Sequence, residues 1–347
     1  MKTIKLGRTG IDIPTWCLGS MTFGNQTPQT DAHRQIDMAL DAGVNFIDTA
    51  EMYPVNPIRA ETVGLSETVI GKWLAASGRR DELVIATKVS GNNPGWVRDG
   101  RGYDGAVIRA AIDTSLARLQ TDVIDLYQMH WPIRGSYMFR QNWTYDPSGQ
   151  DRQQTLDHMM DVLGALDGAV KAGKIRAIGM SNESAWGMTK WVDCAAAAGL
   201  PRMASVQNEY SLLCRLYDTD MAEMAVNEDV TLLAFSPLAC GLLTGKYQGG
   251  AIPQGSRRSI GAELGGRMTP RVLPVVQAYL DLAAKHGVDP VHMALAWQGS
   301  RPFPVSAIFG ATTSGQLAHI LAGKDVQISA ELRAEIDAVH RANPMPY

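Results

Sequence analysis

Four side chains able to move a proton lie in strand-like stretches of this 347-residue chain. Asp48 and Tyr53 fall in NFIDTAEMY, Lys88 in LVIATKV, and His130 at the end of VIDLYQMH. A carboxylate, a phenol, an amine or an imidazole each costs several kcal/mol when buried without a partner. Gathered at one end of a parallel sheet, they can serve one another. Reducing a carbonyl leaves an alkoxide that needs a proton, and a phenol with a free pKa of about 10 gives one poorly near neutrality. A lysine ammonium beside it lowers that pKa, and a carboxylate keeps the lysine charged. The pattern predicts Tyr53 as proton donor, Lys88 as its modulator, Asp48 as the lysine's partner and His130 as orienter of the carbonyl oxygen. Each also has an ordinary reading: turn cap, packed aromatic, phosphate ligand and core histidine in the order Asp48, Tyr53, Lys88, His130. Four complementary groups at corresponding strand ends favour the shared site.

The elements that must position them alternate along the chain. β-branched and apolar runs predict strands at 15–22, 45–50, 83–89, 123–130, 175–182, 205–210, 231–238 and 307–311. Helical patterns fill 31–42, 66–77, 106–119, 154–172, 185–198, 219–227 and 270–286, with 314–321 and 330–341 after the last strand. Gly43, Gly78, Gly173, Gly199 and Gly287 close helices, as expected just beyond a helix C-terminus. Eight strands alternating with helices predict an α/β fold of one domain over 1–347: a (β/α)8 TIM barrel. A turn at residues 7–10 between short apolar runs predicts an N-terminal β-hairpin plugging the barrel's bottom, and 330–341 is an extra C-terminal helix. The long connections 131–151, rich in aromatics, and 239–269, rich in Gly and Arg, follow strands and belong at the C-terminal mouth.

Composition narrows the function. A net charge of −3 gives no basic footprint for nucleic acid. No apolar run reaches the length of a membrane helix, and MKTIKLGRTGIDIP has no signal-peptide pattern, so a cytoplasmic location is expected. Cys17, Cys194, Cys214 and Cys240 form no CxxC pair and read as small hydrophobes. The seven histidines show no metal-ligand spacing, so no metal is expected.

Seven segments carry a resemblance: FIDTAEMYP, IATKVS, YQMHWP, AGKIRAIGMSNE, QNEYSLL, SPLACGLLTGKY and FGATTSGQL. In this order the chain resembles an aldo-keto reductase along nearly its full length, within the Tas-like bacterial branch. The resemblance implies a barrel binding NADP(H) in extended form at its mouth, without a Rossmann fold, and assigns the proton-transfer site to Asp48, Tyr53, Lys88 and His130.

The same resemblance implies the cofactor surface. Ser181, Asn182 and Gln207 match the residues that hold the nicotinamide carboxamide, a group that both donates and accepts hydrogen bonds. Phe235 matches the aromatic on which the ring stacks. Ser236, Pro237, Leu238, Ala239 and Gly241, with Lys246 and Arg257, fall where the pyrophosphate passes, and backbone N–H groups with two cations suit it. Gly310, Thr312 and Gln316 match the adenosine end, where the start of helix 314–321 could take a phosphate. The family commonly continues with Glu-Asn, contacting adenine; here His319 and Ile320 stand instead. Met21, Trp131 and the aromatic loop to Tyr145 would wall an apolar pocket for a small-molecule carbonyl.

Two other readings compete. Gly100, Gly102 and Gly105 satisfy GxGxxG, but residues 91–98 separate them from the preceding strand, where a dinucleotide fingerprint must follow directly. A nucleotide-binding, redox-sensing regulatory subunit, like the potassium-channel β subunits on this fold, is the alternative. Those relatives carry asparagine in place of the histidine, so His130 favours catalysis.

Overall fold

Strands buried on both faces tend to read as apolar runs; IDLYQM is buried at every position, with Asp125 and Gln128 interrupting its apolar residues. The computed structural model describes residues 1–347. Strands β1 (Thr3–Lys5) and β2 (Asp12–Pro14) pair antiparallel as a hairpin. Eight more close a parallel barrel: β3 (Trp16–Gly19), β4 (Phe46–Asp48), β5 (Val84–Val89), β6 (Ile124–Met129), β7 (Ile175–Ser181), β8 (Met203–Glu209), β9 (Thr231–Phe235) and β10 (Val305–Phe309). β10 pairs with β3 to complete the circle.

Helices fill the connections. They are α1 (Gln29–Asp41), α2 (Leu65–Ser77), α3 (Gly105–Leu119), α4 (Arg152–Lys171), α5 (Ala185–Ala198), α6 (Asp220–Asn227), α7 (Arg257–Ile260), α8 (Val272–Lys285), α9 (Pro290–Gly299), α10 (Ser314–Ala322) and α11 (Ala330–Ala342). All eight barrel strands fall where the sequence places them. Two helices were not foreseen: the short α7 within the connection 239–269, and α9, buried along most of its length between α8 and β10. β9 stops at Phe235 because Ser236 turns to φ +54°, outside the strand region.

One inward residue from every barrel strand meets the hairpin. Cys17, Phe46, Ala86, Leu126, Ala177, Ala204, Leu233 and Ile308 form a single apolar layer with Leu6 and Ile13. Side chains on one face of a strand recur every second residue, so the next inward positions include Asp48, Lys88 and Gln128, followed by His130. A hydrophobic floor thus supports a polar layer directly above it. The hairpin reaches this floor because Gly7 presses its backbone against Ala204; a Cβ there would lie 2.6 Å from the Ala204 carbonyl oxygen. Gly10, in the same turn, has open space around it.

Both glycines have positive φ, +54° and +79°, so alanine strains either one, but only at Gly7 does it also collide with the barrel. Gly7→Ala should lower stability by about 1–3 kcal/mol more than Gly10→Ala. Urea midpoints of the two variants check this; equal midpoints would remove the hairpin's role as a fitted plug.

Candidate active site

Asp48 ends β4, Lys88 is the penultimate residue of β5, and His130 directly follows β6. The structure brings them together with Tyr53 at the C-terminal mouth. Lys88 Nζ donates to Asp48 Oδ2 at 2.6 Å and to the Thr49 carbonyl at 2.8 Å. The two side chains are 0% and 3% exposed. The ammonium also lies 4.9 Å from the centre of the Tyr53 ring, and the Tyr53 and His130 rings meet edge-on at 5.7 Å.

Burial governs the protonation states, and here the structure corrects an expectation. Lys88 does pull the Tyr53 phenol down, but desolvation outweighs it and the net shift is upward from the ordinary value. Desolvation alone would push the Lys88 ammonium down; Asp48 and Tyr53 more than offset it, leaving it raised and charged. Burial, and next the charge of Lys88, hold the His130 imidazole well below its usual pKa. The site therefore presents a protonated phenol and a neutral imidazole beside a fixed positive charge. His130 Nδ1 is buried without a partner.

Gln128 was not singled out from the sequence. Its Nε2 donates to Asp48 Oδ1 at 3.2 Å, alongside Gln207 Nε2 at 2.8 Å. The signal for it was the strand alternation: it stands two residues before His130 and pairs in register with Lys88. Glu51 and Arg98 were missed as well. Glu51, 4% exposed, accepts from Ser90 N at 2.5 Å and from Arg98 Nη1 at 2.8 Å, while Arg98 Nη2 donates to the Ser90 carbonyl. The clamp joins the turn carrying Tyr53 to the end of β5. Arg98 comes from the loop holding the GxGxxG match, which packs against the barrel: a Cβ on Gly102 or Gly105 would strike Asn92 or Asp161.

The residues expected at a cofactor line one side of the mouth. Asn182 Nδ2 donates to the His130 carbonyl and to Ser181 Oγ, and Ser181 Oγ donates to the Gln207 carbonyl. Asn182 Oδ1 is left buried with no partner, an acceptor that a primary carboxamide N–H would satisfy. Gln207 departs from expectation, because its Nε2 is committed to Asp48. Phe235 is half-exposed at the end of β9. Beyond it Ser236, Ala239, Cys240 and Gly241 all take positive φ, and Ala239 N and Gly241 N donate within the turn to the Ser236 and Leu238 carbonyls; Pro237 and Leu238 complete the turn. Lys246 has no carboxylate partner and lies over the Tyr247 ring at 5.2 Å. Arg257 touches only the Met21 sulfur, at 3.6 Å.

The adenosine end differs from expectation at its helix. Gln316 folds back, its Oε1 accepting from Thr312 N and Oγ1 at 2.9 and 3.0 Å. Gly310 lies just beyond β10 with its backbone close to Gly19. The N-terminus of α10 already holds an anion: Asp31 accepts from Ser314 N at 3.0 Å and Ser314 Oγ at 2.5 Å. A phosphate at that helix end would meet a carboxylate.

Met21, Tyr53, Trp131 and Trp96 pack around one small apolar cluster of Ala50, Met52, Val55 and Val97. Trp131 is edged by Phe139 at 6.1 Å and lies tilted by 44° against His130 at 4.9 Å. Gly91 makes room for it, since a Cβ there would lie 2.3 Å from its Nε1. Of the aromatic loop, Tyr137 and Tyr145 pack on each other and Trp143 is 63% exposed, so only Phe139 reaches this wall.

The chain is similar in sequence to known proteins. The sequence pattern of the aldo/keto reductase family matches residues 15–341. The protein tas of Escherichia coli (strain K12) is 42% identical over 352 residues, spanning all of this chain and 99% of that protein. An uncharacterised oxidoreductase of Bacillus subtilis (strain 168), YrpG, is 33% identical over 96% of this chain and 94% of its own length. A probable voltage-gated potassium channel subunit beta of Arabidopsis thaliana is 29% identical over 94% of this chain and 92% of that protein.

Breaking the clamp from one side strands a buried charge. Arg98→Met should cost about 3–5 kcal/mol, and adding Glu51→Gln should restore part of it. Denaturant titration of the single and double variants measures the difference; additive losses would mean that the two side chains are not coupled.

Proposed function

The chain belongs to the aldo/keto reductase family, and from that premise we propose that it is an NADP(H)-dependent oxidoreductase reducing an aldehyde or ketone to the alcohol. Residues 1–347 act as one barrel domain, with Tyr53 as proton donor. The observation that carries the reading is the Tyr53 phenol set against the fully buried Lys88–Asp48 pair and the His130 ring.

Tyr53 gives its hydroxyl proton to the carbonyl oxygen as negative charge develops there. The Lys88 ammonium stabilises the phenolate left behind, an effect strengthened by the dry surroundings. Asp48 keeps Lys88 charged and in place, and Gln128 and Gln207 hold Asp48 from the other side. His130, neutral, offers a ring N–H to the same oxygen and so fixes the carbonyl against Tyr53. A bound nicotinamide supplies the hydride. Ser181 and Asn182 would hold its carboxamide, Gln207 having only its Oε1 to offer, and Phe235 would back its ring. The turn 236–241 with Lys246 and Arg257 would take the pyrophosphate, and Gly310, Thr312 and Gln316 the adenosine end. Asp31 opposes a 2′-phosphate at the start of α10, leaving that group to Thr312 and Gln316. Met21 and Trp131 wall the substrate side, where the apolar cluster supports a hydrophobic carbonyl.

A second reading, a cofactor-bound regulatory subunit, draws support from the similarity to a potassium channel subunit. An aldehyde panel divides the two: cofactor binding without turnover by the parent chain would favour the regulatory subunit.

Three outcomes are expected. Tyr53→Phe should lower kcat by at least about 10²-fold with cofactor affinity kept; parent-like reduction by a folded variant would end the proposal. Because the phenol is raised and must be protonated to act, the alkaline loss of kcat/KM should lie at or above the ordinary phenol value of about 10. Because His130 is lowered and acts neutral, no inflection should appear near 6.5, the ordinary histidine value. A limb near either 6.5 or 8 in the measured profile would contradict these states. Finally, Asp31→Ser should tighten NADPH binding by about tenfold, worth ~1.4 kcal/mol, while leaving NADH unchanged. Fluorescence titration of both cofactors reads this, and equal effects on the two would exclude Asp31 as the discriminating group.

A further inference from the structure

Away from the proton-transfer site, α9 and α10 meet at a cluster for which the reductase chemistry has no use. Asp289, His292 and His319 each bring one ligating atom to within 4.8 Å of the others. Asp289 caps α9 with Oδ1, which accepts from Val291 N at 2.8 Å and His292 N at 3.2 Å. Its Oδ2 is left free of the cap and lies 3.3 Å from His319 Nε2. The two imidazoles stack at 5.0 Å with 26° between their planes.

The His292 ring is held in a defined state. Its Nε2 lies 2.7 Å from the His319 carbonyl oxygen. A carbonyl only accepts, so Nε2 carries the hydrogen and Nδ1 keeps a bare lone pair. A metal-binding histidine is commonly oriented in this way, one ring N–H tied to a carbonyl and the other nitrogen open. Gly323 admits the ring, since a Cβ there would sit 2.2 Å from His292 Cδ2. His319 itself is about half exposed.

We infer that Asp289, His292 and His319 form a binding site for a divalent transition-metal ion, zinc foremost, that ties α9 to α10. Two imidazole nitrogens with one carboxylate oxygen suit zinc, nickel and cobalt and offer too few oxygens for magnesium or calcium. Ligands at about 2.1 Å from a tetrahedral ion stand about 3.4 Å apart, so the site must tighten from its present spacing. The exposed His319 ring is the part free to swing inward, and water completes the fourth position. Binding of the ion is read on the chain without cofactor or carbonyl substrate, so the two ideas fail separately.

The test uses the full chain stripped with EDTA and titrated with zinc chloride alone, by calorimetry and by thermal unfolding. One ion per chain at micromolar concentration and a rise in Tm are expected, with no response to magnesium. His319→Gln, at an exposed position, should fold normally and weaken zinc binding by at least about tenfold. His292→Gln should do the same, and Asp289→Asn should weaken binding while keeping the α9 cap oxygen. Zinc binding to His319→Gln as tight as to the parent would place the ion elsewhere, on the cysteines for instance, and overturn the inference. So would the absence of any binding to the parent at millimolar zinc.

Discussion

The mouth of this barrel is organised by one ion pair, Lys88 on Asp48 at 2.6 Å, taken almost wholly out of water. An isolated charge there would be untenable, and a pair alone only partly offsets its desolvation. The surrounding strands complete the arrangement. Gln128 from β6 and Gln207 from β8 donate to the carboxylate oxygen that Lys88 leaves, and the Thr49 carbonyl takes a second ammonium hydrogen. Donors from three strands other than its own can converge on one carboxylate only inside a closed ring. Closure of the sheet is thus a condition of the chemistry as well as of stability.

The same enclosure decides which neighbour carries a proton. An ammonium fixed beside a phenol and an imidazole favours phenolate on the first and the neutral ring on the second. Burial acts with it on His130 and against it on Tyr53, and on Tyr53 burial wins. A phenol kept protonated is a donor held ready, and the ammonium matters most once the proton has begun to leave. Water exclusion therefore sets the resting state, while Lys88 acts on the charge that appears during transfer.

Much of this was legible in the sequence, because it depends on local signals. Eight β-branched and apolar runs marked the strands, and the polar residues at their ends marked the mouth. α9 escaped because PVHMALAWQG is apolar all round and shows no helical stripe, although Asp289 before Pro290 is a capping signal. Gln128 obeyed the alternation that exposed Lys88 but is neutral and so drew no notice. The Glu51–Arg98 clamp and the Asp31 contact with Ser314 join residues 47 and 283 positions apart. Nothing in local spacing announces such pairs. His292 and His319, 27 residues apart on different helices, are of the same kind.

The charges around the mouth fall into two groups, and the division bears on what can bind there. The carboxylates at the strand ends are all engaged: Asp48 by Lys88, Glu51 by Arg98, Glu183 by Arg134, and Glu209 by both Arg140 and Arg267. Lys246 and Arg257 have no such partner, one resting on an aromatic ring and the other on a thioether. They flank a turn whose backbone takes positive φ at Ser236, Ala239, Cys240 and Gly241. Two cations without a carboxylate partner thus stand on one arc of the mouth, while the strand-end carboxylates are paired. An extended dianion laid along that arc would meet positive charge without displacing any ion pair, and its far end would reach Asp31 at α10. Attraction along most of the path and repulsion at one end is an arrangement that admits a dinucleotide while leaving the phosphate on its ribose to be judged separately.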